Sequence, residues 1–129
     1  MLFKSKEKDS KPQLAQSERE AIVDLLHLCL YADAHISLKE GEFISEVVEV
    51  IGWDQSLSFS AYEARSIAAA RAAKTDDSQK KEFIEFASSR LKAPASRSLA
   101  LQLCADLFSA DATQDREAAL LAQLRAALR

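Results

Sequence analysis

The residues best suited to do chemistry are four carboxylates in two matching stretches. Asp33 and Glu40 stand seven residues apart in Ala32-Asp33-Ala34-His35-Ile36-Ser37-Leu38-Lys39-Glu40-Gly41-Glu42-Phe43-Ile44. Asp111 and Glu117 stand six apart in Ala110-Asp111-Ala112-Thr113-Gln114-Asp115-Arg116-Glu117-Ala118-Ala119-Leu120-Leu121. Carboxylates gathered by a loop, with backbone carbonyls and water, present hard oxygen ligands that suit Ca²⁺, Mg²⁺ or Mn²⁺ rather than zinc. Neither loop is an EF-hand. Counting from Asp33, the required glycine is Leu38 and the bidentate glutamate is Ile44; counting from Asp111, those places hold Arg116 and Ala122.

The same carboxylates also have a purely structural reading. Ser37 and Glu40 have capping-box spacing, so Glu40 can close the first turn of a helix by reaching back to an orphan backbone N–H. Asp115 and Glu117 fall in the first turn of a helix, where the macrodipole favours negative charge without any metal. Capping and cation binding both stand as readings of these loops. A second titratable set is Asp24 and His27 on one helix with Asp33 and His35 beyond it, the only group from which a hydrolase could be built. The chain has no Gly-rich phosphate loop, nucleophile elbow, zinc-ligand cluster or paired Glu-x-x-His. It therefore reads as a non-enzymatic protein, with His27 at a helix surface or core edge.

These side chains need helices to position them. Only two Gly and two Pro occur, and hydrophobic residues make up 48% and charged residues 29% of the chain, which suits a soluble helical domain. The periodicity predicts six helices in one all-α domain over 17–129, preceded by a disordered basic arm over 1–16. Helix 1 starts at Ser17 through a Ser17–Glu20 capping box and carries the stripe Ile22, Leu25, Leu26, Cys29 and Leu30. Helix 2 spans Leu38–Ile51 and stops at Gly52, with Phe43, Ile44, Val47, Val48 and Ile51 inward and Glu42, Glu46 and Glu49 outward. Trp53 lids the core at the following corner. Helix 3 starts at Ser60 and, being rich in alanine, is expected in the middle of the packing. Helix 4 is capped by Asp76-Asp77-Ser78, carries Phe83, Ile84, Phe86, Ala87 and Leu91, and is ended by Pro94. Helix 5 covers 96–109 and helix 6 covers 114–128.

The helix entering each acidic loop repeats too. Ile22, Leu25, Leu26, Cys29 and Leu30 align with Ala100, Leu103, Cys104, Leu107 and Phe108, and Phe43-Ile44 with Leu120-Leu121. Two related helix–acidic loop–helix halves are the main architectural inference.

Charge is unevenly spread. Residues 1–12 carry a net +2, residues 13–55 carry Arg19 and Lys39 against nine acids for −7, and residues 56–100 carry +3. The acidic first half argues against a nucleic-acid surface. No apolar run is long enough to span a membrane, and the first residues lack a signal peptide's apolar core. A cytoplasmic location is expected, with Cys29 and Cys104 as small buried hydrophobes.

The Ala-Asp pair followed seven residues later by Glu and an apolar pair, repeated near the C-terminus, resembles the tellurite-resistance TerB-like family over about residues 17–129. The resemblance implies a compact all-helical domain of two related halves associated with tellurite and other chemical stress. It implies a divalent-cation site (Ca, Mg or Mn) at Asp33, Glu40, Asp111 and Glu117. The implied partners are other proteins, including membrane-associated stress assemblies. A protein–protein adaptor without metal, working as a homodimer, is the alternative. The family's glycine after each aspartate is Ala34 and Ala112 here.

Overall fold

A computed structural model describes residues 14–32, 38–54, 56–109 and 115–129. Those residues form six α-helices and no strand: α1 (Gln16–Ala32), α2 (Leu38–Ile51), α3 (Phe59–Lys74), α4 (Asp77–Arg90), α5 (Pro94–Ser109) and α6 (Asp115–Ala127). The all-α expectation of about six helices is met. The loops carrying Asp33, His35 and Asp111 lie outside the described residues, as do residues 1–13 of the expected arm.

The fold is built round α1, which touches every other helix. Residues 21–30 are buried without interruption, so this helix is sunk on all sides rather than along the single stripe its periodicity suggests. Its sequence permits this because Ala21, Val23 and Leu28 fill the faces between the stripe residues; a helix apolar all round belongs inside. Each buried Leu, Ile or Val there contributes about 1.5–3 kcal/mol of transfer free energy. The alanine-rich α3 does not take the middle. It lies against α1 and α4 with Ser66, Ala70 and Ala73 buried, while Ala64, Ala68, Ala69 and Ala72 are exposed.

All ten residues aligned between α1 and α5 are buried, Cys29 and Cys104 among them. Ile44 and Leu120 are buried, and their aligned neighbours Phe43 and Leu121 are both half-buried against the core.

Helix ends differ from expectation where several caps compete. α1 begins at Gln16, and Glu18 rather than Glu20 reaches back, accepting from the Ala15 N–H at 3.0 Å. Leu14, placed in the expected arm, packs against the core. Ser58 rather than Ser60 caps α3, accepting from Ala61 N–H at 3.2 Å. Asp76 caps α4 as expected, accepting from the N–H groups of Ser78 and Gln79. Pro94 opens α5 instead of ending α4, since its fixed φ and missing N–H suit a first helical turn. Phe86, one of the apolar residues that helix 4 carries, is 62% exposed and lies under the guanidinium of Arg90 at 4.0 Å.

α2 ends where expected. Gly52 takes φ +78, with Gly52 N–H donating to Glu49 O and Trp53 N–H to Val48 O, the paired bonds of a Schellman motif. A Cβ at Gly52 would meet nothing within 4 Å, so any penalty is conformational alone. Gly52→Ala should therefore cost about 1–2 kcal/mol, the left-handed penalty of an L-residue. Urea unfolding checks this, and a neutral result would mean that the turn reshapes. Trp53 lids the core as expected, 6% exposed, with its Nε1–H donating to Leu57 O at 3.3 Å.

Candidate functional site: the polar cluster inside the helices

Sinking α1 on all sides creates a problem, because Asp24 and His27 go in with it. Asp24 is 7% exposed and His27 only 1%. His27 is thus a core residue and not the surface or core-edge residue expected from its spacing. A carboxylate at that depth costs several kcal/mol unless paired and hydrogen-bonded, and the partners come from α3 and α4.

Tyr62 and Ser66, one turn apart on α3, both donate to Asp24 Oδ1, at 2.8 and 2.6 Å. Arg90, the last residue of α4, donates from Nη2 to Asp24 Oδ2 at 2.6 Å, and its Nη1 lies 3.4 Å from the Tyr62 hydroxyl. The Arg90 side chain is held a second time by its Nε bond to Phe86 O at 3.2 Å, a position where the C-terminal dipole of α4 also favours a cation. His27 Nδ1 is 2.8 Å from Ser66 Oγ.

Proton counting assigns the tautomer. The one Ser66 proton goes to Asp24, so Ser66 must accept from His27, which therefore carries its proton on Nδ1. Burial drives the His27 pKa down to about 4, opposed by the charge of Asp24, so the ring is neutral at neutral pH. Burial and then the Asp24 charge push the Tyr62 hydroxyl well above its usual range. Arg90 is raised despite its burial, because the Asp24 hydrogen bond and charge outweigh desolvation.

Aspartate, histidine and serine thus meet, but in the order Asp–Ser–His. In a nucleophilic triad the carboxylate holds the imidazole, whose unprotonated nitrogen faces the serine. Here the serine gives its proton to the carboxylate, and the histidine faces it with an N–H. Ser66 is 4% exposed and lines none of the described clefts. The chemistry of this arrangement is charge compensation across three helices.

Of the four expected cation ligands, only Glu40 is described through its side chain. It is buried, on the face of α2 that carries Ile44, Val47 and Ile51. Glu117 lies in the first turn of α6 with its side chain outside the described residues, and Asp33 and Asp111 fall outside them altogether. Among the described residues no three His, Cys, Asp or Glu side chains gather into a set that could hold an ion. His35 is likewise outside them, so the four-residue hydrolase cluster is represented by Asp24 and His27 alone. The outward acidic stripe of α2 is present: Glu42 and Glu49 are exposed and Glu46 half-buried.

Tyr62, Ser66 and Arg90 carried no motif. A usable signal was that an apolar helix containing Asp24 needs a buried cation or donors, and Tyr62-x-x-x-Ser66 places two hydroxyls on one helix face.

The described residues define an all-helical domain with a central helix and a charge-compensated polar cluster. None of its helices is long and apolar enough to cross a membrane. No family model, curated protein or solved structure matches the chain.

Proposed function

We propose that this chain is a non-enzymatic, TerB-like interaction module of the tellurite and chemical-stress type. It acts in the cytoplasm on other proteins, including membrane-associated stress assemblies, and carries a weak divalent-cation site in its acidic loops. The observation that supports this reading most is the burial match between the two helix–loop–helix stretches. Residues aligned from the sequence pattern share burial class at each of the pairs between α1 and α5, and again at Ile44/Leu120 and Phe43/Leu121. The exposed carboxylates of α2 supply a surface for a basic partner.

The donor chemistry fits a hard cation: Asp33, Glu40, Asp111 and Glu117 offer carboxylate oxygens, which Ca²⁺, Mg²⁺ and Mn²⁺ prefer. When bound, such an ion would tie the two acidic loops to the helices that follow them. Its test is the unfolding temperature of EDTA-treated protein against added Ca²⁺, Mg²⁺ or Mn²⁺. An ion that binds only the folded state raises stability by RT ln(1 + [L]/Kd), about 2.7 kcal/mol at a hundredfold excess over Kd. A saturable rise is expected, and it should disappear in Asp33→Ala and Asp111→Ala. A flat response at millimolar ion, in a chain that still folds, would leave a metal-free adaptor.

A further inference from the structure

We propose that this chain associates with itself, the acidic cleft beside α2 in one copy docking onto the basic cleft between α5 and α6 in another. This rests on the interaction-module reading and names the partner as a second copy of the same chain.

The first cleft, about 670 Å³, lies where α2 ends and the chain turns into α3. Its apolar wall is Val48, Trp53, Leu57 and Phe59, and Glu49 stands at its rim. Glu42 and Glu46 extend the charge up the same helix, and Asp54 adds to it beyond the Gly52 turn. Among the described bases, Arg65 lies over the ring of Tyr62, which packs against Trp53. Arg19 spends its Nε–H on Ile51 O at 3.0 Å and faces Asp54, while Lys39 sits in the first turn of α2, remote from the cleft.

The second cleft, about 570 Å³, has an apolar floor of Pro94, Leu101 and Leu128 under Lys92, Arg97 and Arg125. Among the described residues, no Asp or Glu lines it. The guanidinium of Arg97 donates to the carbonyls of Leu91 and Ser88 at 2.6 and 3.2 Å and to a main-chain oxygen of Arg129 at 3.1 Å. The Leu91 and Ser88 carbonyls orient that cation without cancelling its charge. One acid, Glu18, lies beside Lys92 to Ser96 at the start of α5.

The two clefts are therefore opposite in sign and alike in build, each a charged rim over an apolar wall. Leu57 supplies the contact between them. It is 44% exposed at the rim of the acidic cleft, and the other large exposed hydrophobe among the described residues, Phe86, already lies under Arg90. An apolar side chain at an acidic rim fits an apolar floor under a basic one. Complementary potentials of this kind set both orientation and association rate.

The test is the solution mass of the full chain by sedimentation equilibrium across a wide concentration range, at low salt and at about 0.5 M salt, where screening is nearly complete within a few ångströms. The mass should rise from the 14.2 kDa of one chain to at least double at low salt, and fall back at high salt. Growth stops at two copies if the docking closes on a two-fold axis and continues if it runs head to tail. Glu42→Lys with Glu49→Lys, and separately Lys92→Glu with Arg125→Glu, should each stay monomeric while melting like the parent. Mixing the two reversed variants should restore the doubled mass. A monomer at every concentration and salt, or a mixture that stays monomeric, overturns the proposal. So would binding of the monomer to phosphatidylglycerol vesicles through Lys92 and Arg125 without any rise in mass in solution, which would assign the basic cleft to a lipid surface. Failure here with the cation response intact leaves the module reading standing, whereas a flat cation response with self-association intact removes only the metal.

Discussion

Asp24→Ala should destabilise the fold by about 3–5 kcal/mol, the range for stripping the partner from a buried charge. The substitution leaves three donors facing a void: the Tyr62 hydroxyl, the Ser66 hydroxyl and the Arg90 guanidinium. Both ends of the ion pair are shielded, with side-chain exposures of 14% for Arg90 and 10% for Asp24, so water cannot easily replace the carboxylate. Tyr62→Phe and Ser66→Ala each remove one neutral donor and should cost about 1 kcal/mol. Replacing the pair together, Asp24→Leu with Arg90→Met, should recover much of the loss, because a buried pair gains little over a well-packed apolar one. Urea unfolding of the four variants measures this. A loss below about 1 kcal/mol for Asp24→Ala would mean that Arg90 swings out to solvent and that the pair behaves as a surface bridge.

Acid should weaken the fold through His27. Its pKa is lowered from 6.5 to about 4 in the folded chain, chiefly by burial. Between those values the unfolded chain binds a proton that the folded chain refuses, so stability falls as the pH drops from 6.5 toward 4 and is unaffected by this group above 6.5. The loss amounts to about 2 kcal/mol at pH 5 and about 3 kcal/mol by pH 4, from 1.36 kcal/mol per pKa unit. Once protonated, the ring would be a cation 2.8 Å from Ser66 in the same cluster as Arg90. Asp24 offers it partial compensation, the opposing influence that keeps the pKa from falling further. His27→Gln keeps a donor for Ser66 and removes the titration. Its stability should be nearly flat between pH 6.5 and 4.5 where the parent's declines, and parallel declines would show that other groups carry the acid sensitivity.

The helices were legible in the sequence because their signals are local. The bounds of α2 follow from apolar spacing and from Gly52, which alone can take φ +78 without penalty. Asp76 marks α4 because a side chain two or three residues from an orphan N–H needs no distant partner. Where several serines and glutamates stood close together, at Ser17, Glu18 and Glu20 or at Ser58 and Ser60, local rules offered more than one cap and packing chose among them. Phe86 shows a related limit of local rules: periodicity marks it as apolar, while its exposure depends on whether another helix covers that face.

By itself the sequence determined the six helices and all-α class of the described residues, the buried stripe of α1 with its counterparts in α5, and the acidic outer stripe of α2. Each of these depends on residues within a few turns of one another. Tertiary structure alone decided that α1, not α3, sits at the centre, since several helices must surround a helix before all of its faces are buried. It also decided that Asp24 meets Tyr62, Ser66 and Arg90 across 38, 42 and 66 residues of chain. No spacing rule reaches that far. The desolvation of a carboxylate and a histidine is a property of the assembled core, and it exists only once the helices have closed around them.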